Sequence, residues 1–135
     1  MKHIKKFENL FSCNEVIDHL IAILRKFRYG VIKKNENLYE INKEGSTVFY
    51  ISYNAYGRVE KIHMELYTQY PFFQNDPNSH VNIITNYLKT IKGLNYESLP
   101  LLEIFKFDIN DTNKIIEQIT EEDFELIFNV HKYNL

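Results

Sequence analysis

The chain has 135 residues, 44% of them apolar and 15% aromatic, which suits one globular domain and excludes a disordered or low-complexity protein. Its single cysteine, Cys13, excludes an internal disulfide framework and points to a reducing compartment, the cytoplasm by default. The formal net charge is −2 but unevenly placed: residues 1–34 carry eight Lys/Arg against three Asp/Glu, whereas residues 93–135 carry three against nine. The two ends can attract each other in the fold, or the acidic third can face a basic partner.

The N-terminal "MKHIKKFENLF" is basic, but Glu8, Asn9 and Ser12 interrupt its apolar residues before a signal-peptide core can form. The most apolar stretch, "VIDHLIAILRKF", contains Asp18 and His19 and is shorter than the roughly 20 residues that span a bilayer. No membrane partner is expected. In the same region Ser12 and Glu15 have capping-box spacing, and Phe11 and Val16 that of a hydrophobic staple. Val16, Ile17, Leu20, Ile23, Leu24 and Phe27 then recur at helical spacing, with Arg25, Lys26 and Arg28 in the last turn and Gly30 beyond, so a helix is expected over about 13–28.

Three strands follow in the reading. "VIKKNENLYEIN" has the weakest pattern, "STVFYISY" is rich in β-branched and aromatic residues, and "RVEKIHMELY" sets Val59, Lys61, His63 and Glu65 against Ile62, Met64 and Leu66. "NKEG" and "NAYG" are turns, which makes a three-stranded antiparallel meander with one face on the first helix. After "YTQYPFFQNDP", Asp76 and Pro77 read as a second helix start, with Val81, Ile84, Tyr87, Leu88 and Ile91 as its buried stripe and Gly93 as its end. "LLEIFKFDI" is a fourth strand. The rest is expected as one or two helices, because Thr120 and Asp123 have cap spacing and Phe124, Ile127, Phe128 and His131 share a helical face; the alternation Phe124, Leu126, Phe128, Val130 also suits a strand. The fold class is α+β in a single domain over residues 1–135.

Chemical motifs are sparse. Cys13 sits where a helix dipole lowers a thiol pKa, yet its neighbours are those of an ordinary cap. The five histidines have no metal-ligand spacing, and no cofactor is expected. His63 and Glu65 lie on the same face of a strand and have the composition of a base or a metal site; a solvent-facing alternation accounts for them equally well. The four glycines all fall at element ends, leaving no phosphate loop, and the aromatic strand lacks the basic residues that nucleic-acid binding needs. An enzyme is therefore the lesser expectation.

Two features suit a protein partner. The acidic residues Glu117, Glu121, Glu122, Asp123 and Glu125 extend the charge of the last third, although carboxylates at a helix start also offset its dipole. Tyr67, Tyr70, Phe72 and Phe73 cluster where irregular structure is expected, either as a plug for the core or as an aromatic patch. Phe72 and Phe73 are adjacent, so in an extended segment only one of them is expected to be deeply buried.

The stretches "FENLFSCNEVIDHL" leading to "YGVIKKN", and "VFYISYNAYGRVEKIHMEL", in a small and nearly motif-free chain, resemble in organisation the immunity proteins of bacterial polymorphic and contact-dependent growth inhibition systems. That resemblance implies a cytoplasmic protein that binds and neutralises a cognate toxin, often a nuclease with a basic groove. The same order of elements resembles the small chaperones of type III secretion, which implies a homodimer that binds an unfolded segment. The basic first third departs from the chaperone pattern, and the oligomeric state is left open.

Overall fold

A computed structural model describes residues 13–55, 61–68, 79–100 and 102–133. Helix α1 (Cys13–Lys26) leads into strands β1 (Gly30–Asn35), β2 (Leu38–Lys43), β3 (Ser46–Ala55) and β4 (Lys61–Tyr67). Helix α2 (His80–Leu88), strands β5 (Asn95–Leu99) and β6 (Leu102–Asp108), a 3-10 turn (Ile109–Asp111) and helices α3 (Thr112–Gln118) and α4 (Glu121–Tyr133) complete the elements among the described residues. The six strands form one antiparallel sheet in the order β1-β2-β3-β4-β6-β5. The α+β class holds; the meander has four strands rather than three, and two further strands extend it.

The first difference has a local cause. "VIKKNENLYEIN" is a hairpin, not one strand: the Asn35 side chain accepts from the Asn37 N–H at 2.8 Å, and the turn at Glu36–Asn37 separates β1 from β2. The expected turn at "NKEG" is present, with Glu44 at φ 54° and Gly45 at φ 83°, the two positive values that a tight hairpin requires. Strand β5 escaped the pattern because all five of its residues are exposed, so no apolar alternation marks it. It is an edge strand paired antiparallel with β6, Leu99 standing opposite Leu102.

Helix α1 buries Val16, Ile17, Leu20, Ile21, Ile23 and Leu24, as its spacing requires. It ends two residues earlier than expected, and Arg28, not Gly30, takes the left-handed position at φ 70°. The Tyr29 N–H donates to the Leu24 carbonyl and the Arg28 N–H to the Arg25 carbonyl, both at 3.1 Å, a Schellman closure that leaves Gly30 to start β1. Helix α2 starts at His80 because Ser79, in extended conformation, accepts from the Asn82 N–H at 3.3 Å. The expected start at Asp76 and Pro77 lies outside the described residues, as do the Ser12 and Phe11 caps of α1. Gly93 follows α2 at φ 105°, and a Cβ there would meet Ile115 Cγ1 at 3.1 Å, so the turn into β5 suits glycine alone.

The helices lie on one face of the sheet. Ile41, Phe49, Ile51, Met64, Leu66, Phe105 and Phe107 point from the strands into one core with α1, α2, Ile115, Ile119 and Phe124. The C-terminal region is two helices, which decides against a strand: the Thr120 hydroxyl accepts from the Asp123 N–H at 3.2 Å, and Phe124, Ile127 and Phe128 face inward together.

Candidate functional site

The expected acidic residues all lie on the two C-terminal helices. Glu117 is exposed on α3, and Glu121, Glu122, Asp123 and Glu125 are exposed on the first two turns of α4. Glu121 forms an ion pair with Lys26 at the end of α1, so one acidic residue serves the attraction between the two ends of the chain. Among the described residues, no ion pair engages Glu117, Glu122, Asp123 or Glu125. Of the aromatic cluster only Tyr67 is described. It is half-buried at the end of β4 and stacked on Tyr50 with ring centroids 5.2 Å apart, a cross-strand pair and no part of a loop. Tyr70, Phe72 and Phe73, and with them the plug-or-patch question, lie outside the described residues.

Beside the acidic turn runs a groove of about 460 Å³ between α2 and α4, with Ile83, Tyr87 and Ile127 in its lining and Asp123 at its rim. Leu126 also lines it and is 64% exposed. Sequence reading passed over this groove because Leu126 lies off the Phe124, Ile127, Phe128 face; an apolar residue one position outside a helical stripe was the available signal. The walls are fixed. The buried Tyr87 hydroxyl donates to the Gln118 carbonyl at 3.1 Å and accepts from the Thr120 N–H at 3.2 Å, which pins the α3–α4 junction to α2. Burial pushes that hydroxyl up to about 12, partly offset by the Thr120 N–H. The Gln118 amide closes a second link, accepting from the Lys92 N–H and donating to the Lys92 carbonyl, each at 2.8 Å.

The second constellation lies on the sheet face away from the helices. His63 and Glu65 do share a face of β4, and His63 is 1% exposed, which decides against the solvent-facing alternative for it. Its Nε2 is 2.7 Å from Glu65 Oε2, Ser52 donates to Glu65 Oε1 at 2.8 Å, and the Asn54 amide is 3.2 Å from the same Nε2. The tautomer decides which of the two partners Nε2 serves: carrying its hydrogen it donates to the Glu65 carboxylate, and without it it accepts from the Asn54 Nδ2. Four side chains of β3 and β4 thus form a directional lock on strand register. A cavity of about 570 Å³ lined by His63, Asn95, Lys106, Asp108 and Asp111 adjoins it. A histidine oriented by a carboxylate beside a cavity has the parts of a general base.

Asp18 and His19 diverge on α1, as expected of consecutive helical residues. His19 Nε2 donates to the Ile119 carbonyl at 2.7 Å, while Asp18 is within 3.5 Å of the Tyr39 hydroxyl. Among the described residues no group of three or more His, Cys, Asp or Glu is placed to hold a metal, and no helix is long and apolar enough to cross a membrane. No family model, curated protein or solved structure matches the chain.

Proposed function

We propose that this chain is an immunity-type binding protein: it holds a basic partner, a toxin domain with a positively charged groove, against α3 and α4 and so neutralises it. The observation that carries this reading is the set of exposed carboxylates Glu117, Glu122, Asp123 and Glu125, which no described basic residue neutralises, beside an uncovered apolar side chain, Leu126. Opposite charge steers encounter, and burial of an apolar anchor slows release. The test is growth of cells producing a toxin encoded next to this gene. The chain should protect, and the triple variant Glu122→Gln, Asp123→Asn, Glu125→Gln should lose protection while staying folded. Undiminished protection by the triple variant would end this reading.

A second reading, a homodimeric chaperone for an unfolded segment, draws on the same uncovered groove. Sedimentation separates the two, since a monomer at micromolar concentration is incompatible with a chaperone that works as a dimer.

A further inference from the structure

We infer that the groove between α2 and α4 takes a basic amphipathic helix, its apolar stripe on Leu126, Ile127 and Ile83 and its cationic residues over Glu122, Asp123 and Glu125; this rests on the reading of the acidic face as a partner site and names the partner's shape. Glu122 and Asp123 precede Leu126 by four and three residues, so on α4 they are its neighbours, and any apolar group seated on Leu126 brings its flanks against carboxylates. The partner must therefore be apolar at the centre and cationic at the edge.

The walls decide its conformation. Both are helices, and neither offers a sheet edge, so an extended segment laid in the groove finds no ladder for its own N–H and C=O groups. A helix satisfies its backbone internally and presents side chains at the spacing that such a groove accepts. The walls are also held before binding, because Tyr87 and Gln118 tie α2 to the α3–α4 junction, so little ordering cost falls on this side of the interface. A second copy of this chain is a poor occupant. A two-fold contact through this face would set each copy's Glu122, Asp123 and Glu125 against the same residues of the other.

The test titrates the full chain with two peptides of identical composition. One is a Leu/Lys helix with Leu at i, i+3, i+4 and i+7; the other is its scrambled isomer with no apolar face. The amphipathic peptide should bind on the order of tenfold more tightly and shift the methyl resonances of Ile83, Leu126 and Ile127. Leu126→Ser should remove most of that tenfold preference, and Leu126→Ala, equally free of folding cost at so exposed a site, should do the same. Equal binding of both peptides, or a preference untouched by either Leu126 variant, overturns the helix-in-groove inference. Glu122→Gln with Glu125→Gln should weaken both peptides and flatten their salt dependence. If that double variant changes neither, the acidic-face reading itself falls, an outcome distinct from loss of the apolar preference alone.

Discussion

The two faces of the sheet are stabilised by different physics. Toward the helices, Phe49, Ile51, Met64, Leu66 and Phe105 are fully buried among apolar neighbours, and their contribution is non-directional. On the other face the strands are joined by specific pairs: Tyr50 stacked on Tyr67, Ser52 on Glu65, Asn54 on His63, and Lys106 on Glu97 at 3.1 Å. The first kind of contact fixes which face of a strand points inward, since a one-residue slip would turn the apolar set outward; the second also fixes which residue stands opposite which, because each partner must be opposite its donor or acceptor. Most of this protein's apolar burial lies on one side of the layer, and on the other side directional pairs add specific partners to its strand register.

The largest test of that division is Phe49→Ala or Phe105→Ala. Each opens a cavity in the covered layer and should cost about 3 to 5 kcal/mol in denaturant unfolding. An effect below about 1 kcal/mol would break the assignment of stability to that side. Next comes Glu65→Gln, which keeps size but removes the charged acceptor shared by Ser52 and His63; about 1 to 3 kcal/mol should be lost. A Ser52→Ala, Glu65→Gln cycle with strong non-additivity would confirm that the side chains act as one lock.

A polar link on the helix side gives a smaller, pH-dependent effect. The Tyr29 hydroxyl and His80 Nδ1 are 2.6 Å apart, and Tyr29→Phe should cost about 1 kcal/mol. Burial, then the nearby Lys43, holds the His80 pKa below its usual 6.5. In the folded state the neutral ring is favoured, so the unfolded chain binds the proton more readily. Stability should therefore be complete above about pH 6.5 and decline as pH falls below it toward the lowered value. His80→Gln should reduce that acid slope in unfolding measured between pH 7 and 5; an unchanged slope would place the titration elsewhere. The smallest effect is expected at the rim, where the Lys26–Glu121 pair is half-exposed or more, and its coupling in a double-mutant cycle should be below about 1 kcal/mol.

Much of the fold was legible wherever a periodic apolar stripe met a local stop signal. The α1 stripe, the Ile62, Met64, Leu66 alternation, the turn at Glu44–Gly45 and the Thr120 cap all follow from residues a few positions apart. The acidic side of the candidate site was legible for the same reason, because Glu121 to Glu125 are neighbours in the chain. Tertiary structure decided the rest. Strand β5 exists because β6 offers it a ladder, not because its own exposed residues ask for one. His63 is buried although its alternation is that of a polar face, since period two assigns a side chain to a face and says nothing of how deeply that face is covered. The groove joins Ile83 and Tyr87 to Leu126 across about forty residues of sequence, and long-range contacts bring its two walls together, among them the hydrogen bonds from Tyr87 to the α3–α4 junction and the packing of Tyr87 on Phe124. Local spacing writes helices, strands and caps; which of their faces meet depends on long-range packing that no window of sequence contains.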